Sequence, residues 1–172
     1  MRYVLKDQLI SIGGDLTIYD DQGRPAFIVD GKVIAMGRRL HIREAGGREA
    51  AVIQQRLIAI RPTFSIHLTG GPTVIIARRL FSPFIDRLTI RVPGGDDLRV
   101  HGDLFDHEYA FSRRGREVAH VSKRWISLVD SYGVEVGEDE NPVLILACAV
   151  VIDELLDRRR AERRQRRNNG DA

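Results

Sequence analysis

The stretch VLILACAVVIDELLDRRRAERRQRR, Val143–Arg167, decides how the rest of the chain is read. Its first ten residues, Val143 to Ile152, are apolar at every position. A helix that is apolar all round offers no face to water and must be buried all round. The run falls far short of the roughly 20 residues that span a bilayer, so it is expected to be buried in protein. Helix-start signals come just before it. Glu138, Asp139 and Glu140 put negative charge where the helix dipole favours it. Asn141 suits the N-cap and Pro142 the first helical position, where no N–H is needed. Arginines follow at the far end, where the dipole favours cations. The pattern predicts a helix over about 142–160. At 1.5 Å per residue its apolar part covers about 15 Å, the depth of a small domain.

Everything before that helix reads as β-structure. In DLTIYDDQGRPAFIVDGK, Leu16 and Ile18 alternate with Thr17 and Tyr19. Asp20–Asp21–Gln22–Gly23 then has hairpin chemistry, since Gly tolerates positive φ and Asp accepts backbone hydrogen bonds. Asp30–Gly31 reads as a further turn before KVIAM. RRLHIRE, EAAVIQQRL, FSIHLTG, PTVIIARRL, DRLTIRV, DDLRVHG, EYAFSRR, GREVAHVSKR and SYGVEV continue the series, with Gly-rich turns between many of them. LIAIRP and LFSPFID are ambiguous between strand and helix. Short alternating runs with turns every 8–12 residues or so predict an all-β sandwich or barrel of about twelve strands. One all-round apolar helix among so many strands has one economical place, the inside of a closed barrel, and closure also removes sheet edges. Small Ala147, Cys148 and Ala149 in mid-helix would let strands approach closely. The reading is one domain over residues 1–157, with residues 158–172 as an Arg-rich polar tail expected to be partly disordered.

Three passages resemble the LURP-one-related family, which belongs with the tubby-like and phospholipid-scramblase-like proteins. They are LTIYDDQGRPAFIVDGK, with its D-x-x-G turn and G-K step; VAHVSKRWISLVDSYGVEV at 118–136, with a V-S-[KR] and a D-x-[YF] step; and ACAVVIDEL at 147–155, an apolar helix closed by an acid. The likeness runs over nearly the whole chain, with 45–110 matching in pattern alone. It implies a twelve-stranded barrel around a central C-terminal helix, in agreement with the reading above. Tubby-like relatives bind phosphoinositides, so the resemblance implies a lipid-headgroup module. Scramblase relatives carry a longer apolar helix proposed to span the membrane. Here that run breaks at Asp153.

Charge is unevenly spread. Residues 158–172 hold seven arginines against Glu162 and Asp171, a net +5, so the whole-chain +3 leaves the other 157 residues at −2. The tail arginines, Arg158, Arg159, Arg160, Arg163 and Arg164 foremost, could meet acidic lipid or an acidic protein partner. They carry no base-reading element, and aromatics are only 6%, so nucleic acid is a poor fit. On the body, Arg38–Arg39, Arg78–Arg79, Arg113–Arg114 and Lys123–Arg124 sit near strand ends or turns. Arginine forks suit phosphate and an indole suits a membrane interface, so Arg113, Arg114, Lys123, Arg124 and Trp125 are the candidate headgroup residues. The plainer alternative is a dispersed, charge-balanced surface.

Catalytic chemistry is not legible. G-x-S-x-G, the Walker loop and G-x-G-x-x-G are all absent from the sequence. Cys148 lies mid-run in the apolar helix, where a thiol is inert. HGDLFDHEY gathers His101, Asp103, Asp106 and His107, but the spacing fits a polar turn as well as a metal site, so no metal or cofactor is expected. His41, His67 and His120 are scattered single strand residues. One cysteine excludes an intramolecular disulfide and suits a reducing compartment. MRYVLKDQLISIGG shows no signal-peptide core. The expectation is a non-enzymatic cytoplasmic binding module that touches membranes peripherally, without a span. The alternative is a regulatory scaffold whose basic tail docks an acidic partner.

Overall fold

The computed structural model describes residues 1–6, 16–34, 37–58, 61–77, 87–125 and 131–170. They form twelve strands and one helix. These are β1 Arg2–Lys6, β2 Leu16–Asp20, β3 Pro25–Ile34, β4 Gly37–Glu44, β5 Glu49–Ile58, β6 Arg61–Leu68, β7 Thr73–Ala77, β8 Arg87–Ile90, β9 Leu98–Asp103, β10 Glu108–Arg113, β11 Arg116–Ser122, β12 Ser131–Val136 and α1 Pro142–Gly170. Neighbours in the sheet are neighbours in sequence, except that β12 pairs with β1. Among the described residues every ladder is antiparallel, and one bridge, Ile75 to Arg91, spans the remaining seam between β7 and β8. The protein is therefore a nearly closed twelve-stranded barrel.

Its interior is set by strand alternation, because successive side chains point to opposite faces. On β9, Leu98 and Val100 are buried while Arg99 and His101 are exposed. On β2, Leu16 and Ile18 are buried. The inward set meets α1, which packs nearest to β5, β6 and β12. From Leu144 to Leu156 every helical residue is buried, including Ala147, Cys148 and Ala149. Asn141 caps the helix as expected, its Oδ1 accepting from the N–H groups of Val143 (2.9 Å) and Leu144 (3.2 Å). The first expected turn also forms. Asp20 Oδ1 accepts from the N–H groups of Gln22 (2.9 Å) and Arg24 (2.8 Å), and Gly23 takes a φ of +74°.

Two expectations are corrected. Asp30–Gly31 is not a turn. β3 runs straight through it, with Asp30 opposite His41 and Gly31 opposite Leu40. A Cβ on Gly31 would come 3.1 Å from the Leu40 side chain, so the glycine relieves crowding beside a core leucine. The count of twelve nevertheless holds, because AFIVD and the KVI of Lys32–Ile34 merge into β3 while Arg2–Lys6 adds a strand not singled out from the sequence. The helix, expected to end near residue 160, continues to Gly170. Ala, Glu, Gln and Arg are good helix formers, and a buried first half supplies the nucleus that a free segment lacks. In LIAIRP, Leu57 and Ile58 end β5 and Arg61 and Pro62 begin β6, and the two residues between them lie outside the described residues. LFSPFID and Arg78–Arg79 lie outside the described residues.

Candidate functional site

The barrel has two unlike ends, set by the direction of α1. β10 begins at Glu108 near the helix exit and reaches Arg113 near the helix start, a span of about 17 Å. Arg113–Arg114 and Lys123–Arg124 therefore sit at opposite ends of one hairpin and do not form one patch.

At the helix-start end, Arg113 is engaged. Its Nε and Nη2 donate to Glu140 Oε1 (2.9 Å) and Oε2 (3.0 Å), a bidentate fork, and its Nη1 donates to the Asp96 carbonyl. Arg114 holds a left-handed φ of +51° in the tight turn and pairs with Asp96 at 2.6 Å. A cleft of about 340 Å³ opens beside them. Among the described residues, three arginines share its lining with five carboxylates, Asp96, Glu117 and the run Glu138 to Glu140, a net −2. That lining repels rather than attracts a phosphate.

The helix-exit end is built on Glu108. Its carboxylate accepts from Ser122 Oγ (2.9 and 3.0 Å) and from the backbone N–H groups of Lys123 (3.1 Å) and Arg124 (3.3 Å). This clasp turns the chain out of β11 and presents Arg124, whose side chain is 84% exposed and lies 3.7 Å from Glu108. Trp125 folds back along the outer wall. Its ring lies 5.1 Å from that of His120 and 5.9 Å from the Arg2 guanidinium carbon, and it is 48% exposed. The helix leaves the barrel at this same end. Arg160 donates to the Phe105 carbonyl at 3.4 Å and pairs with Asp157 at 3.4 Å. From Asp157 to Gly170 the arm extends about 20 Å. Arg164 is exposed on it; Arg158, Arg159 and Arg163 lie outside the residues whose side chains are described.

Inside this end is a buried polar group that sequence reasoning did not find. Asp153, on the helix, accepts from His107 Nε2 (2.9 Å) and from the Tyr132 hydroxyl. The His107 and Tyr132 rings stack at 4.5 Å. His107 reaches inward because it sits at φ +53° in the turn whose backbone is held by Asp103 Oδ1, which accepts from Phe105 (3.0 Å) and Asp106 (3.1 Å). HGDLFDHEY is thus divided. His107 is inside, Asp103 holds the turn and His101 lies on the outer wall. Among the described residues no three metal-ligating side chains come together. The available signal was Asp153 itself, since an acid inside an otherwise apolar helix needs a buried partner. Burial pushes the Cys148 thiol far above its usual range, and the Arg113 charge opposes that only in part.

A nearly closed antiparallel barrel threaded by its own C-terminal helix, with a clasped basic rim where the helix emerges, defines the class of protein. The signature of the LURP-one-related family matches residues 1–153, and the chain belongs to that family. Among solved structures, the X-ray structure of a protein from Arabidopsis thaliana is similar, with a TM-score of 0.60 at 12% identity over 90% of this chain and 91% of that one. At that identity the likeness speaks for the fold. No curated protein matches the chain. Among the described residues no helix is long and apolar enough to cross a membrane.

Proposed function

We propose that this protein is a non-enzymatic binding module that docks on anionic phospholipid surfaces through the helix-exit end of its barrel. One observation carries the reading: Lys123, Arg124, Trp125 and the arginine-rich arm share one end, while Arg113 and Arg114 are tied into a net acidic cleft at the other. The molecule is therefore oriented electrostatically, and a negative surface attracts one end of it. Each cation near such a surface contributes about 1 kcal/mol. Between Asp157 and Asn169 the arm's one apolar residue is Ala161, so it adds attraction without insertion. Trp125 supplies an aromatic body at headgroup depth.

Vesicle flotation tests this. The full chain is expected to float with phosphatidylserine vesicles and not with phosphatidylcholine, and to be released as salt shortens the Debye length below about 8 Å. Ending the chain after Asp157 removes a net +5 and should weaken binding at least about 100-fold. Lys123→Ala/Arg124→Ala should weaken it by a smaller factor. Equal binding to neutral vesicles, or none to either, refutes the proposal. In the latter case, arm-dependent capture of an acidic protein would favour a scaffold.

A further inference from the structure

A second cationic place lies on the barrel wall, away from both ends. Across β8, β9 and β10, Thr89 stands opposite Arg99 and Arg99 opposite Ser112, a row of directly paired positions. In the next row His101 stands opposite Ala110. By strand alternation these residues are on the outer side, since Leu88, Val100, Tyr109 and Phe111 between them are core. The small side chains of Ala110 and Ser112 leave room between the longer ones. A groove of about 490 Å³ results, with Thr89, Arg99, His101 and Ser112 along it and the strands at Leu88 and Val100 as its floor.

The chemistry of the groove sets it apart from the rest of the surface. The other four histidines have partners: His41 with Glu49, His67 with Thr73, His107 with Asp153 and His120 with Glu117. His101 has none among the described residues, and there no carboxylate pairs with Arg99. Among the described residues, the acids nearest in the strand register are occupied elsewhere. Glu117, opposite Ser112, bonds the His120 ring, and Asp103 holds its own turn. What remains among the described residues is a guanidinium fork, an imidazole and the Thr89 hydroxyl, with no negative charge beside them, while the Ser112 hydroxyl is held by the Arg99 carbonyl at 3.4 Å. Arginine and hydroxyl groups together are phosphate-binding chemistry, and the volume exceeds that of a phosphate alone.

We infer that this groove is a seat for a phosphate monoester. The Arg99 fork takes two of its oxygens, and the Thr89 hydroxyl and a ring N–H of His101 donate to it. The groove shares no residue with the surface contact proposed above and does not depend on it. The same phosphate chemistry occurs in a lipid headgroup and in a soluble phosphate ester.

The test is a titration of the ¹⁵N-labelled full chain at low salt with glycerol 3-phosphate and with inorganic phosphate, followed by amide shifts. Saturable shifts are expected on β8–β10. Arg99→Gln and His101→Asn should each weaken binding about ten-fold, the loss of one charge-assisted hydrogen bond. Both side chains are exposed, and unchanged melting of the variants would confirm that the fold is intact. Thr89→Val is a third, uncharged probe of the same seat. Lys123→Ala/Arg124→Ala should leave this binding unchanged. Shifts confined to the arm and lost with it, unaltered affinity in Arg99→Gln, or no saturation by about 10 mM would overturn the inference. Phosphatidic acid vesicles separate the sources. A preference for them over phosphatidylserine vesicles that Arg99→Gln removes points to a headgroup. No such preference in the natural chain, with soluble phosphate binding lost in Arg99→Gln, points to a free ester.

Discussion

Asp153→Ala is the perturbation with the largest consequence worked from the structure. The Asp153 carboxylate is 5% exposed, and the imidazole that donates to it is 1% exposed. Its removal takes an acceptor from both His107 Nε2 and the Tyr132 hydroxyl. A buried donor left without its partner costs about 1–3 kcal/mol, and breaking a buried pair from one side costs about 3–5 kcal/mol. We therefore expect a loss of about 3–5 kcal/mol, a large share of the 5–15 or so that a domain commands. With a urea m-value of about 2 kcal/mol/M, the midpoint should fall by about 1.5–2.5 M. Urea titration by circular dichroism reads this directly. The cycle of His107→Leu, Asp153→Leu and the double variant then separates pairing from packing. The double variant should be more stable than the sum of the single losses predicts, because replacing both partners by apolar groups leaves no orphaned charge. A loss under about 1 kcal/mol in Asp153→Ala, or additive single losses in the cycle, would refute the reasoning.

Three further outcomes follow from particular residues. The backbone N–H of Arg24 is the largest cause holding the Asp20 carboxyl below its usual range. Its contribution is therefore present above the unfolded aspartate value of about 3.9 and is lost as pH falls through the lower folded value. The stability gap between the natural chain and Asp20→Ala should accordingly be full at neutral pH and close on acidification below about pH 4, as thermal melts across pH will show. Cys148 is fully buried, so a thiol reagent should label the native protein only through unfolding. Rapid native labelling would contradict a helix buried in the barrel. Gly102 has φ +117° and a Cβ there would come 2.6 Å from the Glu108 carbonyl oxygen, whereas one on Gly23 would meet nothing within 4 Å. Gly102→Ala should lower the melting temperature by at least about 4 °C, and clearly more than Gly23→Ala.

The helix was legible because its signals are local. An all-round apolar run demands burial, and Asn141–Pro142 marks its start. The hairpins were legible for the same reason, Asp20–Gly23 above all, since a turn's requirements lie within four residues. Asp30–Gly31 misled because a glycine inside a strand and a glycine in a turn look alike until the cross-strand neighbour, Leu40, is known. The candidate basic residues could be named from the chain but not placed. Whether Arg113 meets solvent or Glu140, and whether it lies near Lys123, depends on where β10, β11 and α1 end in space. His107 and Asp153 are 46 positions apart, and the groove of Thr89, Arg99 and Ser112 is assembled by the register of three strands. Periodicity and turn chemistry are properties of short segments, so the sequence alone determined a β-barrel built round one buried helix. Partners across strands, the polarity of the two ends and the place of each charge come from long-range register and closure, and only the tertiary structure decided them.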